Sequence, residues 1–116
     1  MLTVYGIPSC GTVKKARAAL DAKQRGYTFV DFRSTPPSRA QVDAWVEAFG
    51  AKALRNTSGG SYRALGSEKE GWSDAQWADA FAADPMLIKR PVVESHGRPV
   101  IVGWNLDEAE IAARLG

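Results

Sequence analysis

Cys10 is the only cysteine in the 116-residue chain, and it stands where a strand-forming segment gives way to a helix-forming one. At the first turn of a helix a thiolate faces N–H groups without intrahelical partners and the positive end of the helix dipole. Both lower a thiol's pKa. The thiolate is the nucleophilic form, so this placement points to sulfur chemistry. Thr12 in the first turn, with Lys14 and Lys15 close behind, supplies the groups expected to stabilise the anion. Placement alone leaves open a second reading, a small buried residue, which is the usual fate of a free cysteine.

Position 13 is Val, so the chain lacks a C-x-x-C dithiol and Cys10 has no internal partner. A redox cycle on Cys10 needs an outside thiol acting through a mixed disulfide, and glutathione fits best. Arg90-Pro91 is the second chemical feature. It precedes a β-rich segment, and an X-Pro bond is the one kind with appreciable access to the cis form. A cis bond there would present backbone groups beside the thiol, whereas a trans bond would make it a plain strand start. His96 is the only histidine and falls in a turn, so one Cys and one His predict neither a zinc site nor a hydrolytic triad.

The elements that must position these residues follow from periodicity. Leu2–Tyr5 reads as a strand cut off by Gly6 and Pro8, and the segment after Cys10 reads as a helix. Its buried face is Val13, Ala16 and Leu20, and Gly26 is its stop. Tyr27–Phe32 is a second strand, parallel to the first through a right-handed crossover. After Pro36-Pro37, the capping boxes Ser38–Gln41 and Ser73–Gln76 open two helices. The first carries the stripe Val42, Trp45, Val46, Phe49; the second has the apolar edge Trp77 and Phe81. The polar Arg55–Ser61 stretch reads as a loop, and Asp84-Pro85 as the start of one more turn. Pro91–Glu94 and Pro99–Val102, joined by Ser95-His-Gly-Arg98, form a hairpin. A helix capped from Asn105 follows, with Ile111, Ala112 and Leu115 inward.

The predicted fold is therefore α/β, a mixed four-stranded sheet in β-α-β then β-β-α order, with a helical insertion over about 36–88 of a single domain 1–116. A net charge of +2, without runs of like charge or interleaved basic and aromatic residues, argues against nucleic acid as a partner. No apolar stretch approaches the length that spans a bilayer, and the N-terminus lacks a signal-peptide pattern. With one cysteine, these features place the protein in the cytoplasm without a membrane partner.

Tyr5-Gly-Ile-Pro-Ser-Cys10-Gly-Thr-Val-Lys-Lys-Ala16 resembles the active-site segment of the arsenate reductase-like (ArsC/Spx/YffB) family. The YffB-like branch is the most similar: Leu54–Thr57 with Tyr62–Leu65 resembles its middle loop, and Asp84–Val92 its second signature. Gly103-Trp-Asn105 matches the turn into the last helix. The resemblance covers nearly the whole chain. It implies a thioredoxin-like fold, Cys10 as the family thiol, and Arg90-Pro91 as the anion-facing arginine and cis-proline.

The expected activity is that of a glutathione-dependent thiol reductase with no tightly bound cofactor or metal and with glutathione as co-substrate. Arg90 would contact a carboxylate of glutathione or substrate, and the backbone of Val92 would pair with a bound peptide. Two alternatives accompany this reading: an arsenate reductase coupled to glutathione and glutaredoxin, and an Spx-like regulator that binds RNA polymerase without catalysis. Arsenate reductases of the family surround the thiol with three arginines. Here Arg90 supplies one, Ser58 occupies the middle-loop position with Arg55 and Arg63 close enough to substitute as anion- or substrate-binding residues, and Val102 or Gly103 stands at the third, with Arg98 in the turn instead. Two missing arginines remove contacts of roughly 1.5–3 kcal/mol each from an arsenate dianion. The usual switch of the Spx branch is a C-x-x-C pair, which Val13 breaks.

Overall fold

The computed structural model describes residues 1–116 throughout. In chain order the elements are β1 (Leu2–Gly6), α1 (Gly11–Ala22), β2 (Tyr27–Asp31), α2 (Arg39–Phe49), α3 (Ala51–Leu54), α4 (Gly60–Ala64), a 3₁₀ turn (Ser67–Gly71), α5 (Asp74–Ala83), a second 3₁₀ turn (Pro85–Leu87), β3 (Val92–Ser95), β4 (Arg98–Val102) and α6 (Glu108–Leu115). They divide into two compact units, one made of Met1–Thr35 with Arg90–Gly116, the other of Pro36–Lys89.

The first unit holds the sheet, in strand order β2-β1-β3-β4. β1 runs parallel to β2, as the β-α-β crossover requires, and antiparallel to β3, which pairs antiparallel with β4. The hairpin between β3 and β4 turns on two residues, His96 at φ 52° and Gly97 at φ 78°. Two positive φ angles in succession match the right-handed twist of the strands, and glycine takes the second without strain. Leu2 and Val4 of β1, Val93 of β3 and Ile101 of β4 form one apolar cluster with Ala16 and Leu20 of α1 and Ile111 and Leu115 of α6. Pleating puts alternate residues of a strand on one face, and helical spacing puts i and i+4 on one stripe, so these positions meet.

In the second unit the two capping boxes form as the sequence predicts. Ser38 and Ser73 each accept from the backbone N–H three residues on, and Gln41 and Gln76 each accept from the cap backbone in return. Val42 and Trp45 of α2 and Trp77 and Phe81 of α5 are buried. Arg39 of α2 pairs with both Asp43 and Asp79, tying α2 to α5. Arg55 bridges to Ile88, and Lys89 N–H donates to the Leu54 carbonyl at 2.6 Å.

Several local expectations shift. α1 ends at Ala22 rather than running to Gly26, because Lys23 caps it and Gln24 takes a positive φ of 55°. The Arg55–Ser61 loop leads into short helical turns over Gly60–Ala64 and Ser67–Gly71. α6 is capped by Asp107, whose carboxylate accepts from Glu110 N–H, and not from Asn105. Ala112 is exposed, since it lies off the Ile111–Leu115 stripe; Val46 and Phe49 are half-buried.

Leu20 is 1% exposed within the α1–sheet layer. Leu20→Ala is expected to lower the unfolding free energy by about 2–5 kcal/mol in urea titration. A loss under about 1 kcal/mol would show that α1 is not held by this layer.

Candidate functional site

The sheet register brings the two chemical features together. β1 and β3 are antiparallel with Tyr5 opposite Val92, so the loop leaving β1 and the residues entering β3 lie at the same end of the sheet. Cys10 is in the first segment and Arg90-Pro91 in the second. The Arg90–Pro91 peptide bond is cis. The Pro91 carbonyl accepts from Gly103 N–H at 2.8 Å, which fixes the β3 entry to the end of β4.

Cys10 is the N-cap residue of α1, in extended conformation at φ −74° and ψ 125°. Its own N–H donates to the Ile7 carbonyl at 3.2 Å, and its carbonyl accepts the first intrahelical bond, from Lys14 N–H at 3.0 Å. The thiol is therefore held at the helix start by main-chain bonds on both sides. It is partly exposed and free of any disulfide.

Several influences act on the Cys10 thiol. Partial burial is the largest and pushes its pKa up; the backbone N–H of Val13, that of Thr12, and the Arg90 guanidinium all favour the anion and together outweigh burial. The net result lies below the ordinary thiol value. Sγ makes no hydrogen bond of full capping geometry to the first turn, so Val13 and Thr12 act as oriented dipoles rather than as formal caps. Arg90 acts both as a donor to sulfur and as a charge.

Of the residues expected here, Cys10, Thr12, Arg90 and Pro91 converge. Lys14 and Lys15 are exposed on α1, and the charge that acts on the thiol is that of Arg90. The Val13 amide, which favours the anion, lies outside the set that side-chain chemistry predicts. Its apolar side chain hides the fact that any residue at the third helical position offers an unpartnered N–H. Val92 is opposite Tyr5 on one side and Val102 on the other.

Arg55 and Arg63 belong to the second unit. There the Arg55 guanidinium lies over the Trp77 ring, 4.3 Å from its centroid, and Arg63 donates to the Ser58 carbonyl at 2.7 Å. Ser58 Oγ donates to the Asn56 side chain. No three His, Cys, Asp or Glu side chains gather where they could hold a metal ion, and no helix is long and apolar enough to cross a membrane.

Removing the Arg90 charge takes away both a hydrogen bond to the thiolate and an attraction, so ionisation must move to higher pH. In iodoacetamide alkylation followed against pH, Arg90→Gln is expected to raise the Cys10 midpoint and to slow reaction at neutral pH. An unchanged midpoint would remove Arg90 from the site.

The ArsC family model matches residues 5–112. The uncharacterized protein YusI of Bacillus subtilis is 34% identical over 113 residues, covering 94% of this chain and 95% of that protein. An arsenate reductase of Rhizobium meliloti is 34% identical over 95 residues, covering 79% of this chain and 67% of the enzyme. The solved YFFB protein superposes with a TM-score of 0.89 at 32% identity, covering 100% of both chains. The match spans the β1–α1 thiol segment, the Arg90-Pro91 entry to β3 and the mixed four-stranded sheet that joins them, and the chain belongs to the ArsC family.

Proposed function

We propose that the protein is a glutathione-dependent thiol reductase that works through the single thiol of Cys10. The observation that carries this reading is a partly exposed thiol on a helix N-terminus, beside a guanidinium, in a chain with no second cysteine. Such a thiol is readily ionised and has no internal resolving partner, which suits a cycle closed by an external thiol.

In the proposed cycle the Cys10 thiolate attacks the glutathione sulfur of a glutathione mixed disulfide. A Cys10–glutathione disulfide forms, and the substrate sulfur departs as thiolate and takes up a proton. The thiolate of a second glutathione then attacks the glutathione sulfur on Cys10, releasing oxidised glutathione and regenerating the Cys10 thiolate. The sulfur of the incoming glutathione is oxidised to the disulfide level and the substrate sulfur is reduced to a thiol, while the glutathione sulfur already in a disulfide passes from one disulfide to the next, so the electrons balance. The Arg90 guanidinium stabilises the Cys10 anion as starting nucleophile and again as leaving group.

The arsenate reductases among the relatives support a second reading, in which arsenate replaces the mixed disulfide as the oxidant. One guanidinium at the thiol is a weak cradle for a dianion, which favours the disulfide.

Treatment with oxidised glutathione, read by intact mass, is expected to add one glutathione to the native protein and none to Cys10→Ser. Reduced glutathione should remove it. Turnover of a small glutathione mixed disulfide should fall to background in Cys10→Ser. Absence of an adduct would sink the thiol reductase reading, and arsenite formation from arsenate with glutathione and glutaredoxin, without disulfide turnover, would install the second one.

A further inference from the structure

Gly6, the last residue of β1, is buried, and its carbonyl accepts from Phe32 N–H at 2.8 Å. Its strand register, opposite Asp31 of β2, fixes it in the sheet. A Cβ built on Gly6 would lie 2.6 Å from Val13 Cγ2, closer than two carbon atoms can stand. Val13 cannot yield easily. It is fully buried, and a β-branched side chain in a helix has essentially one rotamer. The contact therefore couples the end of β1 to the first turn of α1, the turn that carries the Thr12 and Val13 amides.

We propose that Gly6 is a positioning residue: its missing side chain lets the first turn of α1 close onto β1 and so holds the Val13 amide against Cys10 Sγ. With an alanine there, β1 is pinned by its sheet partners and Val13 by its burial, so the helix start must move away from the strand. The Val13 N–H moves with it. Arg90, the charged group facing the thiol, enters from β3 and is untouched by this change. A methyl group placed on Gly11, next to the thiol, would meet nothing within 4 Å, so Gly11 supplies a matched control. This role deepens the reading of Cys10 as a nucleophile and rests on it, but its test reads thiol ionisation and requires no glutathione chemistry.

The pH profile of iodoacetamide alkylation is measured for the native protein, Gly6→Ala, Gly11→Ala and the double variant Gly6→Ala/Val13→Ala, which removes the clashing methyl. Gly6→Ala is expected to raise the midpoint by about one pH unit, that is, about tenfold less thiolate at neutral pH, as the Val13 amide dipole is drawn away from sulfur. Gly11→Ala should keep the native midpoint, and the double variant should return to it. A Gly6→Ala chain that fails to fold agrees with the proposal when the double variant folds with the native midpoint. A native midpoint in Gly6→Ala, an equal rise in Gly11→Ala, or a double variant that stays unfolded or keeps the raised midpoint overturns it.

Discussion

A thiolate that is partly withdrawn from water must be given donors in exchange, and at Cys10 those donors come from two segments far apart in the chain. The Val13 and Thr12 amides belong to the first turn of α1, and the Arg90 guanidinium to the entry of β3. Burial alone would push the thiol toward its neutral form. A helix start and a guanidinium together reverse that sign. The rest of the first unit can be understood as what holds these two segments at one end of one sheet.

That arrangement depends on the antiparallel pairing of β1 with β3, which puts Tyr5 opposite Val92. It depends equally on the packing of α1, whose Ala16 and Leu20 sit in the apolar cluster with β1, β3, β4 and α6. The Gly103–Pro91 hydrogen bond ties the β3 entry to β4, and the Tyr5 hydroxyl donates to Glu94 at 3.0 Å across β1 and β3. Since sheet register can slip only in whole residues, and a one-residue slip would turn Val4 and Val93 out of the cluster, the thiol and Arg90 have a defined relative position.

Local patterns are the legible part of the sequence. The β-α-β and β-β-α order, the α1 stripe Val13, Ala16, Leu20, both Ser–Gln capping boxes and the two-residue hairpin at His96-Gly97 each depend on spacings of a few residues, which a sequence displays directly. Cys10 is readable for the same reason. What escapes is non-local or main-chain. Arg90 is legible only through the family resemblance, because it acts on sulfur by a strand pairing across the chain, and Val13 acts through an N–H that its side chain does not advertise. That Val92 lies between Tyr5 and Val102 likewise follows only from the whole sheet order. Asn105 and Asp107 are both good caps, and the choice of Asp107 follows from where Ile111 and Leu115 must point. Membership of the ArsC family brings relatives named as arsenate reductases, and the groups acting on this thiol are two amides and one guanidinium.

Everything at this site depends on the thiol of Cys10 being easier to ionise in the folded protein than in the unfolded chain. Its pH titration, followed by thiolate absorbance in the native state and again in concentrated urea, tests this most directly. The folded-state midpoint should lie below the urea value of about 8.5. By linkage, ionised Cys10 then stabilises the fold above the unfolded midpoint, and that contribution is lost as pH falls through the folded one. A native midpoint at or above the urea value would contradict the account.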